Sequence, residues 1–432
     1  MKTGLAAIAA LLLVPSAAMA VNYPSPKDPG KLPPRPNGQE ATLHVCKKPR
    51  CFDSIQQAVN ASVGGDTIKV AKGTYKEGVQ VKNKGRRGLR IIGNKKKPGK
   101  VVMNGKGLKG AKAQNAFFVN DVDDVTIRGF KAKNYKANGF FLTNVKGYLL
   151  KNLIAEHTGE YGMYAFNSKG GTMAKSEASE MSDSGFYVGQ TPKQAKPKRT
   201  FIKNVKSHTN VLGYSGTNMR YVTIQDSQFW NNGVGIVPNA LDSEKFAPPE
   251  FNVIRDNEVF WNNFNYYLGA PFPVSGDETQ TDGLAYPVGI GILLFGGRDH
   301  VVEGNKIYGN YAVGFAMIEQ IALEQEDART TDRNTIQGNV FGLGGMDLNG
   351  RDIAYDGSGS DNCFADNGDT QNNLPADDSE LVACPFSGEN GVNGDARQEM
   401  LNIALAEDRE QYWVKHPHAD KPGYTPLEHY GG

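Results

Sequence analysis

The sequence predicts an all-β solenoid, a single-stranded parallel β-helix, and three observations predict it. The first is a register of apolar anchors at Ile127, Leu150, Ala174, Ile202, Ile224, Ile254, Val302 and Ile336. Five residues after each stands a second core-type position: Ala132, Ala155, Ser179, Ser207, Phe229, Val259, Ile307 and Phe341. The second is punctuation by glycine, at Gly139, Gly162, Gly185, Gly213, Gly235 and Gly314, eleven or twelve residues after an anchor. Beyond each glycine apolar residues alternate, as at Phe140 and Leu142, which is the period of a strand. The third is an asparagine eight residues after its anchor, at Asn210, Asn232, Asn262 and Asn310. The shortest step, Ile202 to Ile224, is 22 residues. A unit of that length with three short strands is one coil of a β-helix, and the Leu-x-x-Leu-x-Leu frame of a leucine-rich repeat is absent.

The elements follow in chain order. Residues 1–20 read as an export signal: Lys2, an apolar run from Leu5 to Val14, and Ala18-Met19-Ala20 at the end. The run is short for a bilayer span, so a membrane partner enters only through an uncleaved anchor. Residues 21–45 read as a proline-rich linker, 46–386 as the β-helix with an N-terminal cap, and 387–432 as a helix plus irregular tail. At least eight coils are expected between Thr67 and Asp366. Ile55, Ala58 and Val59 give the cap helix its apolar face, which an open solenoid end requires. The C-terminal helix, 395–407, is expected to start on the N-cap Asp395 and bury Met400, Ile403 and Ala404.

Phe-Trp-Asn-Asn occurs twice, from Phe229 and from Phe260, because both copies lie at the same corner of successive coils. In register, Trp230 meets Phe260 and Asn232 meets Asn262. Stacked asparagines form amide ladders between rungs about 4.8 Å apart. Asn144, Asn167, Gln190 and Asn218, five after their glycines, form a second series.

The stretch "CFDSIQQAVNASVGGDTIKVAKGTYKEGVQV" resembles the opening of right-handed parallel β-helix proteins of the pectate-lyase-like superfamily. "SDSGFYVGQ", "NNGVGIVPNALDSE" and "VGIGILLFGG" resemble exported bacterial β-helix-repeat proteins. The likeness runs from Cys51 to Cys384 and implies a right-handed, pectin-lyase-like solenoid. It does not fix the chemistry. The aspartate set of polygalacturonases, the Asp-Pro-His-Asp of mannuronan epimerases, and the calcium aspartates with Arg-x-Pro-x-x-Arg of pectate lyases are all absent.

Insertions point to a site. From glycine to next anchor a plain coil takes 11 residues, as from Gly213 to Ile224, but Gly185, Gly235 and Gly314 are followed by 17, 19 and 22. All three leave one corner and form a wall; a fourth, from Asn263 to Tyr286, leaves the corner before it. Lys193, Lys196, Lys198, Arg199, Asp242, Glu244 and Glu319 stand on the wall loops, and the last five are candidates for acid–base and charge-neutralising roles. Phe141, Tyr164 and Tyr187 form an outward strip beside them, suited to sugar stacking or to a plain aromatic ladder, with Tyr164 and Tyr187 the substrate-binding candidates.

Net charge is +2, which excludes a global electrostatic argument for nucleic acid. Locally the chain is polarised. Asp66–Lys112 holds 15 basic residues against two acids, and Glu319–Cys384 holds 14 acids against three arginines. Asp347, Asn349 and Asp352, followed by Asp356 and Asp361, offer hard oxygens for calcium, although no glutamate completes an EF-hand. His416 and His418 are a further pair of metal-type side chains. Export permits disulfides among the four cysteines. Cys46–Cys51 with Cys363–Cys384 is the simplest of three connectivities. Two function classes stand: a polysaccharide lyase, epimerase or glycosidase, above all a lyase or epimerase of an acidic glycan, and a non-catalytic scaffold on cell-envelope glycans.

Overall fold

A computed structural model describes residues 32, 40–266, 270–272, 286–321, 323–343, 348–368 and 370–405. The expected export signal, most of the expected linker, Asp347 and both tail histidines lie outside the described residues. Among the described residues no helix is long and apolar enough to cross a membrane.

The chain winds into stacked coils, each giving one strand to each of three parallel sheets. The first sheet has twelve strands, Thr42–Val45 through Cys363–Ala365; the second has ten, Gly73–Tyr75 through Val340–Phe341; the third has ten, Val79–Val81 through Ile353–Tyr355. Inward residues form continuous apolar columns. In the first sheet Ile91, Ile127, Leu150, Met173, Ile202, Ile224, Ile254, Val302 and Ile336 are in register. The expected anchor Ala174 is one residue out. Met173 faces the core and Ala174 faces outward opposite Lys151, so the second-sheet partner is Ala178 rather than Ser179. With a two-residue period, one step of slip exchanges the faces.

The N-terminal end is closed. The cap helix Ile55–Asn60 is N-capped by Ser54 and buries Ile55, Ala58 and Val59. The Glu77 carboxylate accepts the Ile55 and Gln56 N–H groups at 2.9 and 3.0 Å. The buried Arg86 guanidinium donates to the Val59 and Asn60 carbonyls at 3.0 and 3.2 Å. An anion at the helix start and a cation at its end both oppose the helix dipole. The helix Gly394–Leu405 lies on the outer face of the third sheet, laying Ala396, Met400, Leu401 and Ile403 on an apolar cluster that includes the outward-facing Ala316 and Ala354. Its cap is Asn393, whose Oδ1 accepts the Ala396 N–H at 2.9 Å; Asp395 lies inside the first turn. Disulfides join Cys46 to Cys51 and Cys363 to Cys384.

The corners carry the amide ladders. Asn210, Asn232, Asn262 and Asn310 each donate side chain to side chain into the next, ending at Asn349, at 3.0, 3.0, 3.1 and 3.0 Å. A parallel ladder runs Asn257, Asn305, Asn339, Asn367. Another runs Asn334, Asn362, Asn390, with His300 ahead of it accepting from Asn252 and donating its backbone N–H to Asn334. The series after the glycines behaves differently. Asn167 donates to Asn144 and Asn144 to Asn120, but Gln190 and Asn218 leave the ladder and hold a loop. All four have φ between 45° and 58°, the left-handed turn that favours Asn.

Candidate functional site

The outer face of the third sheet lies beside the wall, since the three insertions leave the sheet at its C-terminal edge. Phe118, Phe141, Tyr164 and Tyr187 occupy one outward column in register, followed by Ser215 and Val237. The first three rings stack at 4.8 and 4.6 Å with interplanar angles of 13° and 15°. Tyr187 breaks the series: it lies 4.8 Å from Tyr164 but turned by 89°. The turn has a local cause at Gly189, where a Cβ would fall 2.3–2.5 Å from the Tyr187 ring and hydroxyl. Without a side chain there, the ring lies flat over the strand. Tyr161, from the adjacent column, closes on both rings at 4.5 and 5.0 Å.

Of the two readings of the outward strip, a sugar platform or an aromatic ladder, the rings form a buried ladder. Tyr164 and Tyr187 are 6% and 1% exposed, and their faces are occupied by neighbouring rings. The Tyr187 hydroxyl donates to Glu244 on the wall loop. That loop is built to hold its place. Asn218 donates to the Leu241 and Glu244 carbonyls at 2.8 and 2.7 Å, and Gln190 accepts the Lys245 N–H at 3.0 Å. Asp242 accepts the Glu324 N–H at 2.6 Å and the Gln325 amide at 3.3 Å, tying one wall loop to the next. Arg220 donates to the Phe246 and Pro248 carbonyls and pairs with Glu250.

Burial raises the proton affinity of every acid in this cluster. Asp183 is pushed up to about 6, against the pull of the Tyr161 hydroxyl. Glu244 is pushed up to about 8, chiefly by burial and further by the Asp183 charge. Burial lifts the Tyr161 and Tyr187 phenols well above their ordinary value, and the neighbouring Asp183 and Glu244 charges add to it. At neutral pH Asp183 is mostly ionised and Glu244 mostly protonated. Among the described residues the Glu244 Oε2 has no hydrogen-bond partner. Asp183 alone of the four keeps partial access to solvent.

Of the residues singled out from sequence, the structure brings together Tyr164, Tyr187 and Glu244. Arg199 points elsewhere, donating to Thr223 and to the Phe251 carbonyl at 3.3 and 3.2 Å. Lys198 passes over Gly170 at the edge of the first sheet. Glu319 pairs with Arg397 of the C-terminal helix at 2.8 Å. Asn349 is the last rung of an amide ladder: its Oδ1 accepts from Asn310 and its amide donates to Ile307 and to Asp352. Asp352 also accepts the Gln371 N–H at 2.7 Å, and burial raises its proton affinity. Among the described residues no three His, Cys, Asp or Glu side chains gather as metal ligands.

Tyr161 and Asp183 were missed. Tyr161 carried a readable signal, a large ring one residue before its glycine where the equivalent residue of the preceding coil is Asn138. For Asp183 the spacing gives no signal.

The description "Right handed beta helix region" matches residues 77–243. The chain is similar to the A-module of the Azotobacter vinelandii mannuronan C-5 epimerase AlgE4, with 15% identity, 72% of this chain and 87% of that one covered, and a TM-score of 0.45. It is similar to an alginate lyase from Paenibacillus sp., with 14% identity, 72% and 99% covered, TM-score 0.45. It is also similar to the pectate lyase Pel9A, with 16% identity, 77% and 78% covered, TM-score 0.40. Comparison with curated proteins gives no match. With its three stacked parallel sheets, the chain has a parallel β-helix fold, right-handed by the description matched over residues 77–243.

Proposed function

We propose that the outer face of the third sheet is a polysaccharide site at which Asp183 and the Tyr187–Glu244 pair move protons. One observation carries this reading. Two carboxyl groups share one tyrosine cluster, Glu244 accepting from the Tyr187 hydroxyl and Asp183 from the Tyr161 hydroxyl, and burial raises Glu244 further than Asp183, so Glu244 serves as the acid and Asp183 as the base. That division of labour suits removal of the proton beside a uronate carboxyl. Asp183, ionised and reachable from solvent, takes the proton. The freed electron pair expels the linking oxygen in an elimination, or is reprotonated on the opposite face in an epimerisation. The Tyr161 or Tyr187 hydroxyl supplies a proton, to the departing oxygen in the elimination or to the carbon in the epimerisation, and protonated Glu244 holds the Tyr187 hydroxyl in place. Glu244 being neutral also avoids placing a second anion against the substrate carboxylate.

The export signal and two disulfides support action outside the cytoplasm. Calcium at Asp347, Asn349 and Asp352 has no role in this reading. A second reading, glycan binding without turnover, draws on the burial of Tyr164, Tyr187 and Glu244, which leaves little of the cluster open.

The test incubates the protein with a panel of polyuronates and reads unsaturated products by ultraviolet absorbance and solvent deuterium by mass spectrometry. Unsaturated ends or deuterium uptake, abolished in Asp183→Asn, is the expected result. Neither signal from any polyuronate, or a signal indifferent to Asp183→Asn, refutes the catalytic reading. Binding without either signal selects the second.

A further inference from the structure

The two ends of the solenoid carry opposite charge, and the first sheet puts both charges on one line. Its first strand, Thr42–Val45, runs into a loop closed by the Cys46–Cys51 disulfide, whose four inner residues are Lys47, Lys48, Pro49 and Arg50. Its last strand, Cys363–Ala365, opens the loop closed by the Cys363–Cys384 disulfide. That loop holds Asp366, Asp369, Asp377, Asp378 and Glu380, with no Lys, Arg or His. The two strands are the terminal members of one twelve-stranded parallel sheet. A second copy displaced along the axis therefore meets the acidic loop of the first with its own basic loop.

Both loops are fixed to the sheet they end. The Phe52 N–H donates to the His44 carbonyl at 2.8 Å, and the Cys46 N–H to the Phe52 carbonyl at 3.2 Å. At the other end the Phe364 N–H donates to the Val382 carbonyl at 2.9 Å, and the Cys384 N–H to the Phe364 carbonyl at 3.1 Å. The loops thus seal the outer edges of the terminal strands, so a neighbour meets charged side chains there instead of bare backbone. The acids are held too: Asp377 accepts the Ser379 N–H, Asp378 the Asn373 amide and Glu380 the Asn393 amide, each at 2.9 Å. The charge is uncompensated. From Cys46 to Lys76 six exposed cations, Lys47, Lys48, Arg50, Lys69, Lys72 and Lys76, stand against one exposed acid, Asp53. Among the described residues neither the three loop cations nor Asp366, Asp377, Asp378 and Glu380 enter an ion pair. On the flank of the rod charges find partners across coils, as Arg87 does with Asp124 at 2.7 Å and Arg333 with Asp299 at 2.8 Å. The acidic end also exposes Val340 by 49% and Leu343 by 44%, beside Asn339, which donates to Asn367 of the acidic loop at 2.9 Å.

We infer that the protein associates head to tail with a second copy of itself, the Lys47–Arg50 loop of one copy docking on the Cys363–Cys384 loop of the next. Charges already held in place lose little freedom on docking. The aliphatic stems of the lysines cover Val340 and Leu343, while their ammonium groups reach the acids around them. Such a contact joins two different surfaces, so it does not close on itself and lengthens into a rod. Its attraction runs between exposed loops and is screened by salt. An anionic lipid surface or a nucleic acid would satisfy the basic loop alone and leave the acidic loop and its apolar patch unmatched. A second copy satisfies both. This contact is separate from the Asp183 cluster and does not depend on it.

The experiment follows the mass of the full chain by light scattering and sedimentation over a range of protein concentration and salt. One variant, Lys47→Glu, Lys48→Glu, Arg50→Glu, reverses the basic loop; a second, Asp366→Lys, Asp377→Lys, Asp378→Lys, reverses the acidic one. The control, Lys193→Glu, Lys196→Glu, Lys198→Glu, makes the same charge change on an exposed wall loop. Wild type should gain mass with concentration and lose the gain in high salt. Each loop variant should associate about tenfold or more weakly, and the control less than about twofold. An equimolar mixture of the two loop variants should recover the association, since each keeps the loop that the other lacks; two misfolded chains could not do so. A wild type that stays monomeric at every concentration in low salt overturns the inference. So does a basic-loop variant that associates as wild type does, the mark of two acidic ends meeting through Val340 and Leu343, and so does a mixture no larger than its parts. If wild type stays monomeric but binds vesicles of anionic lipid or a single-stranded oligonucleotide through Lys47, Lys48 and Arg50, the loop belongs to that partner instead. Asp183→Asn should associate as wild type does, so failure of the catalytic reading and failure of this one are told apart.

Discussion

Two side-chain columns run along this solenoid and differ in how they treat their polar atoms. In the corner ladder the inner rungs Asn232, Asn262 and Asn310 each accept from the asparagine before and donate to the one after, without interruption from Asn210 to Asn349. On the third sheet the column from Phe118 to Tyr187 is regular for three rungs and then fails. The fourth ring turns, a glycine makes room for it, and a carboxyl oxygen on the covering loop is left without a partner. A fully satisfied repeat is what stacking alone selects. A buried and incompletely satisfied group has a cost, about 1–3 kcal/mol, that stacking does not explain. The difference teaches where to look for chemistry in a repeat protein: at the rung where the repeat stops repeating.

The largest expected effect breaks that comparison at its functional end. Asp183→Asn should lower turnover of a susceptible polyuronate by about 10²–10⁴-fold, the usual contribution of a positioned base. Asn232→Ala, which touches only the ladder, should leave the rate per folded molecule unchanged. Initial rates corrected for the folded fraction check both, and equal rates would return the tyrosine column to a packing role.

Next in size is the ladder itself. Asn262 accepts from the Asn232 backbone and side chain at 3.3 and 3.0 Å, and donates to Asn310 and to the Phe229 carbonyl. Asn262→Ala strands those groups in a dry corner and should destabilise by about 1–3 kcal/mol. Urea unfolding measures it, and an unchanged midpoint removes the ladder from the account of stability.

How much of this was legible in the sequence follows from the same contrast. The coil register, the Asn210–Asn310 ladder, the cap helix and the wall insertions could be read because each is a spacing, and spacing survives in one dimension. The single slip, Ala174 for Met173, came where two small or flexible apolar residues stand side by side and the strand period cannot choose between them. Burial of Tyr164 and Tyr187 was not legible. Their cover includes Glu244, more than fifty residues on, and its seat is set by Gln190 and Asn218, which look like two more ladder rungs. The charge asymmetry was visible as a count, but only the sheet order shows that the basic and acidic loops stand at opposite ends of one sheet.

Acidity sharpens the comparison, because the ladder does not titrate and the column does. Glu244 holds its proton to about pH 8 when folded and to near 4.5 when unfolded, so the folded state binds the extra proton between those values. Its contribution to stability is therefore complete below pH 4.5 and is lost as pH rises through 8. Glu244→Gln copies the protonated form. Wild type and variant should melt alike near pH 5, and the variant should gain by up to about 1.4 kcal/mol for each pH unit above that. His300 gives the opposite slope. Burial depresses its ring to about 4, so its contribution is present above 6.5 and lost as pH falls through 4. Melting curves from pH 4 to 9 separate the two, and a Glu244→Gln difference independent of pH would contradict the buried-acid description.

The smallest expected effect separates two ladders of identical chemistry. Asn144 donates to Asn120 at 3.1 Å and accepts from Asn167 at 2.6 Å, as the buried rungs do, but it is exposed to solvent. Water can replace each of its bonds, so little of the amide contact should appear as stability. Its backbone sits at φ 58°, where alanine would add strain of its own. Asn144→Gly removes the amide and keeps the turn, and should change stability by less than about 0.5 kcal/mol. Set against Asn262→Ala in the same urea experiment, it isolates burial as the variable. If Asn144→Gly costs as much as the buried substitution, the ladders stabilise through their hydrogen bonds irrespective of solvent. An unsatisfied oxygen on Glu244 would then say less about function than its burial suggests.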